Sequence, residues 1–171
     1  ELLYWKTVLS DYETEKFSHL TICEDTRNLT NLVLNHDQTH KLLRESNKAY
    51  HTQINDLLLT ALGLTLSEIT KSQVNHITLE GHGREELDSR IDITRTLGWF
   101  TTMFPVRLEI EKDIGKSIKI IKESLRKIPN KGIGYGSLCG YTTRALPRIS
   151  FNYLGQFNNA EELTDTWSIS E

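Results

Sequence analysis

The chain has 171 residues, 37% of them hydrophobic and 25% charged, with a formal net charge of -3 at pH 7. This length suits one domain able to bury roughly two thirds of its unfolded surface, and the composition excludes a disordered chain. The small negative charge gives no sign of a polyanion-binding surface, and no long apolar run marks a signal peptide or membrane span.

Residues 1–10 read as a helix presenting Leu2, Trp5 and Leu9. Residues 27–35 (RNLTNLVLN) mix Leu and Val with polar groups and predict a strand. Asp37 then caps a short helix to about Ser46, with Leu42 and Leu43 inward. Residues 53–69 predict a stronger helix, because Ile54, Leu57, Leu58, Ala61 and Leu62 recur at helical offsets on one face.

Residues 74–79 (VNHITL) alternate as a strand should, with Val74, Ile77 and Leu79 as the apolar members. They run into EGHGREE, where Gly81 and Gly83 oppose a helix, so 80–86 is an extended end or a turn. Residues 104–110 predict another strand, with Pro105 near its start, where a missing N–H is tolerable. Asp113 caps a helix to about Ile128 whose Ile114, Ile118, Ile121 and Leu125 keep the helical period. Its lysines between Lys116 and Lys127 form the solvated face. PNKGIGYG follows as a glycine-rich turn, and residues 148–154 read as a last strand. The alternation predicts an α/β or α+β layered fold in one domain or subdomain, without internal repeats.

Chemistry concentrates in few places. Glu80 follows a buried-strand pattern and is flanked by Gly81, His82 and Gly83, which let backbone or ligand approach. A carboxylate there, beside His82 and Arg84, suits a general base, and it suits equally a polar turn in which Glu80 pairs with Arg84. His82 alone reads as a turn histidine. PNKGIGYG lacks the lysine-serine ending of a phosphate loop and the context of a dinucleotide fingerprint. The Gly98-Trp99-Phe100 cluster fits core or tunnel wall, and Asn152 and Tyr153 are polar groups on a strand. No metal-ligand spacing occurs. The two cysteines, Cys23 and Cys139, lie far apart, so reduced bystander thiols in a cytoplasmic protein are expected. The chain opens without Met and stops at TDTWSISE, which leads us to expect a fragment of something longer.

Five strings occur in order: NDLLLTALG, EGHGREE, RTLGWFTTMFPV, IPNKGIGYG and ISFNYLGQF, spread from Asn55 to Phe157. Together they resemble the successive signature motifs of epimerization domains in nonribosomal peptide synthetases. These domains share a chloramphenicol-acetyltransferase-like fold of two lobes with the related condensation domains, which do not usually carry the EGHGRE, GWFT and NYLGQF strings. The resemblance implies that residues 1–171 are a single partial domain, the C-terminal lobe, lacking the N-terminal lobe.

It also implies a substrate held as an aminoacyl or peptidyl thioester on the phosphopantetheine arm of a peptidyl carrier domain. No cofactor would be bound by the chain itself, and no nucleic acid or membrane would be involved. By motif position, Glu80 matches the acid/base glutamate. Arg84 matches an arginine supporting the site, by orienting Glu80 or holding charge. Asn152 and Tyr153 match an accessory strand lining the channel, and His82 falls inside the motif. The glycines Gly132, Gly134 and Gly136 are expected to shape a loop. The family's His-His-x-x-x-Asp-Gly run is absent, since no two of the six histidines are adjacent. The chain alone is therefore expected not to epimerize. The alternatives are a carrier-docking remnant without chemistry and a condensation-type acyltransferase lobe.

Overall fold

The computed structural model describes residues 1–14, 16–17, 29–141 and 146–155. Helix α1 spans Leu2–Val8. A continuous helical stretch follows: α2 (His36–His40), a π-helical turn (Lys41–Glu45) and α3 (Ser46–Tyr50). Helix α4 covers Ile54–Thr70, strand β1 Val74–Gly81 and strand β2 Thr102–Glu109. Helix α5 covers Ile114–Arg126, and a 3-10 turn at Pro129–Gly132 leads to the short α6, Tyr135–Cys139. Strand β3 is Ser150–Phe151. The expected α+β layering is present.

β1 lies between β2, to which it is antiparallel, and β3, to which it is parallel. The register sets Ile77 opposite Val106 and Leu79 opposite Phe104, which puts these side chains on one face with Leu108. That face receives α4, whose backbone at Gly63 sits against Ile110 and Leu108. α5 packs beside α4 and against β2. The core gathers Trp5, Leu59, Leu66, Ile77, Phe104, Val106, Leu108, Ile110, Ile121 and Tyr135. Trp5 meets Tyr135 edge-on with ring centres 5.1 Å apart, within the range such pairs favour.

The other face of β1 is covered too. His76 contacts the Val8 carbonyl at 2.8 Å, and the Thr78 hydroxyl donates to the Pro147 carbonyl at 2.8 Å. Asn75, His76, Ile77 and Thr78 are consequently all buried. The alternation in VNHITL therefore does not mark a half-exposed strand. Its polar members are buried and hydrogen-bonded, as the low polarity of an interior demands.

Other expectations need correction. Residues 29–35 form no strand, and Leu29, Leu32 and Val33 are exposed; residues 27 and 28 lie outside the described residues. The backbone there instead feeds a capping box, with Asn35 and Gln38 satisfying each other's N–H groups, so Asn35 caps the helix in place of Asp37. Leu42 and Leu43 are half-buried. In α4 the buried line is Asp56, Leu59, Thr60, Gly63 and Leu66, while Ala61 is exposed. The leucines (Leu57, Leu58, Leu59, Leu62, Leu64 and Leu66) leave free the side carrying Asp56, Thr60 and Gly63, and packing on the sheet buries that small, polar side rather than the apolar face that periodicity marks. The strand expected over 148–154 shrinks to two residues. By contrast, Asp113 caps α5 as expected, accepting from the Lys116 N–H at 2.8 Å.

Candidate active site

The candidate residues gather at the end of β1. The parallel register pairs Thr78 with Ser150 and Leu79 with Phe151, so the next step along both chains brings Asn152 beside Glu80. The Asn152 side-chain amide donates to Glu80 Oε2 at 2.9 Å. A cleft of about 510 Å3 opens at this point, and Glu80, His82, Glu85, Lys131, Asn152 and Tyr153 all line it. Four of the five residues expected from sequence, Glu80, His82, Asn152 and Tyr153, are therefore brought together.

Arg84 is the exception. Its guanidinium donates to the carbonyls of Ile93 at 2.9 Å and Thr96 at 3.0 Å, and stacks 4.1 Å above the Phe100 ring. It neither orients Glu80 nor pairs with it; it braces the segment between β1 and β2. The cause is local. Gly83 takes a left-handed backbone with φ of 66°, and its α-carbon lies where any side chain would collide with the Phe100 carbonyl. That turn sends Arg84 away from Glu80.

His82 is held from both sides. Its Nδ1 accepts the Arg84 backbone N–H at 3.0 Å, and its Nε2 lies 3.0 Å from Glu85 Oε1. Both ring nitrogens are thus engaged, and His82 is a strut for Glu85. The second Glu85 oxygen pairs with Lys131 Nζ at 2.8 Å. Glu85 and Lys131 were not singled out from sequence. Both sit inside recognised strings, EGHGREE and PNKGIGYG, but only the folded turn shows that they meet. Gly132 sits in the turn bearing Lys131, as a loop-shaping glycine would.

Asn55 also lines the cleft, and its Oδ1 is buried without a hydrogen-bond partner among the described residues. Leu79 and Phe104 supply an apolar wall. Among the described residues, no group of three or more His, Cys, Asp or Glu side chains is placed to hold a metal ion. No helix among them is long and apolar enough to cross a membrane. Gln156 and Phe157, the end of the last recognised string, and Cys23 lie outside the described residues.

Comparison with known proteins bears on the family of the chain. Gramicidin S synthase 1 of Brevibacillus brevis is 43% identical over 175 residues, covering 92% of this chain and 16% of that protein. Bacitracin synthase 1 of Bacillus licheniformis is 53% identical over 131 residues, 72% of this chain and 2% of that protein. The chain thus spans a small part of these curated relatives. Among solved structures, the epimerization domain from the third module of tyrocidine synthetase B is similar at a TM-score of 0.65 and 39% identity. That match covers 91% of this chain and 41% of that one. The first condensation domain of the CDA synthetase shares the fold alone, at a TM-score of 0.54 and 12% identity over 77% of this chain and 29% of that one. Both neighbours carry the expected chloramphenicol-acetyltransferase-like fold. The Condensation domain family matches residues 1–171, and the chain belongs to that family.

Proposed function

We propose that this chain is the part of an epimerization domain that supplies the glutamate acid/base, Glu80, for L/D interconversion at the Cα of a carrier-bound aminoacyl or peptidyl thioester. The observation that carries the reading is the Glu80–Asn152 contact at the mouth of the cleft. A carboxylate at a strand end, aimed by a neighbouring amide, is a placed proton acceptor. The sequence strings of the epimerization class, and 39% identity to a solved epimerization domain against 12% to a condensation domain, favour this chemistry over acyl transfer.

The thioester makes the chemistry accessible, because its carbonyl takes up the electron pair left when the Cα proton departs. Glu80 removes that proton, Asn152 holds the carboxylate, and an acid on the opposite face returns one. The chain has no adjacent histidine pair among its six histidines, so it lacks the second acid/base of the class. The phosphopantetheine arm, presented by a carrier domain, fits the cleft chemically. Its amide N–H groups match Asn55 Oδ1, which is buried without a partner among the described residues, and its aliphatic stretches match Leu79 and Phe104.

The test is a chimera in which this chain replaces the matching part of the tyrocidine epimerization domain, supplied with an L-aminoacyl carrier domain. Chiral analysis of the released amino acid is expected to show a D/L mixture, and the isolated chain is expected to leave the L form untouched. Peptide-bond formation by the chimera would instead support a condensation-type lobe. Carrier binding without inversion in the chimera would support a docking remnant.

A further inference from the structure

The reaction proposed above develops negative charge on the thioester oxygen, and such charge needs a fixed hydrogen-bond donor or cation. Arg84 is turned away onto the Ile93 and Thr96 carbonyls. Asn152 is engaged with Glu80, and both His82 nitrogens are engaged with Glu85 and the Arg84 backbone. Among the described residues lining the cleft, the cation that remains is Lys131.

Its placement is built into the fold. Asn130 and Lys131 both adopt left-handed backbone conformations, with φ of 44° and 50°, although neither is glycine. Two such strained residues in succession persist only where the surroundings enforce them. Here the turn is pressed against the end of β1. The Lys131 carbonyl lies 3.6 Å from the point a side chain on Gly81 would occupy, one residue beyond Glu80. Glu85, 17% exposed at its side chain, pairs with the Lys131 ammonium at 2.8 Å and tethers it at the cleft wall, while the lysine side chain itself is 75% exposed and open to a ligand. The remaining N–H groups have no ion-pair partner among the described residues.

We propose that Lys131 is a further catalytic residue, whose ammonium donates to the thioester oxygen as the Cα proton leaves, with Glu85 and His82 as its positioning residues. This inference rests on the epimerization reading. Glu80 takes the Cα proton, the C–H pair becomes the second bond between Cα and the carbonyl carbon, and the carbonyl pair moves onto oxygen beside Lys131. The carbon–sulfur bond stays intact. Reprotonation of Cα reverses the electron flow.

The test uses the chain carrying Glu80→Gln, whose amide stands for the carboxyl after it has accepted the proton. Two pantetheine thioethers are titrated calorimetrically: one ending in a carboxylate, which carries the charged oxygen, and one ending in the neutral primary amide of the same shape. The expected result is preference for the carboxylate probe. Adding Lys131→Met should reduce that preference roughly tenfold, the scale of a lost charge-assisted hydrogen bond. Lys131→Arg should retain it, and the amide probe should bind all three chains alike. An unchanged preference in Lys131→Met, or an equal loss for both probes, overturns the role of Lys131. Equal binding of both probes, or of neither, by the Lys131-containing chain would also overturn it, whereas inversion by the tyrocidine chimera decides the epimerization reading separately.

Discussion

At the residue scale, the site reduces to a carboxylate and the amide that holds it. Removing the amide should leave Glu80 in place but unaimed. Asn152→Leu in the tyrocidine chimera is expected to slow inversion roughly tenfold, in line with loss of a hydrogen bond to a charged group. The effect should fall on the rate at saturating carrier rather than on carrier affinity; unchanged inversion would remove Asn152 from the site. A second residue-scale consequence concerns stability. His76 is buried against the Val8 carbonyl, and burial lowers its pKa below the ordinary 6.5, outweighing the raising influence of that carbonyl and of Asp11; Arg107 and Lys16 add to the lowering. The unfolded chain therefore binds this proton more readily than the folded one. Stability from this group is complete above about pH 6.5 and falls as pH drops toward the folded value. Urea unfolding at pH 7.5 and 5.5 should show the loss, and His76→Gln should flatten it; an equal slope in the variant would contradict the assignment.

At the element scale, the segment joining β1 to β2 owes its shape to Gly83 and Arg84 rather than to secondary structure. Arg84→Lys keeps the charge but loses the fork that reaches two carbonyls at once and the flat stack on Phe100. Proteolysis between residues 87 and 99 is expected to accelerate several-fold, with little change in the melting temperature. Unaltered cleavage would mean that the brace is dispensable.

Sequence discloses what acts locally along the chain. Helices α4 and α5, strands β1 and β2 and the Glu80 position were legible because hydrophobic period, the Asp113 cap and the ordered strings all act locally. The choice of α4 face was not, since the apolar period marks one side whereas the sheet buries the side of Asp56, Thr60 and Gly63, where Gly63 approaches Ile110. Nor was the true partner of Glu80. The spacing of EGHGREE offers Arg84, whereas the parallel register delivers Asn152 from a distant strand. Glu85 and Lys131 escaped notice for the same reason: their pairing exists only once two turns are folded against each other.

At the scale of the whole molecule, the braced segment displays apolar surface. Leu97 is 97% exposed and Trp99 91% exposed, whereas Phe100 is half-buried beneath Arg84. Leu32 and Val33 add further exposed apolar groups. Exposed apolar clusters of this kind recruit partners or self-associate. The isolated chain is expected to bind a hydrophobic dye and to sediment with a concentration-dependent mass, and Leu97→Ser with Trp99→Ser should diminish both. A dye-silent monomer would contradict this.

The central claim is that Glu80 moves the Cα proton. Its most direct test follows deuterium entering the Cα of a carrier-bound aminoacyl thioester in D2O, catalysed by the tyrocidine chimera with and without Glu80→Gln. The variant is expected to lose at least about a hundredfold of the exchange rate, the usual contribution of a placed acid or base, with carrier binding preserved. Exchange that continues at the original rate in Glu80→Gln would contradict it and leave the cleft without its acid/base.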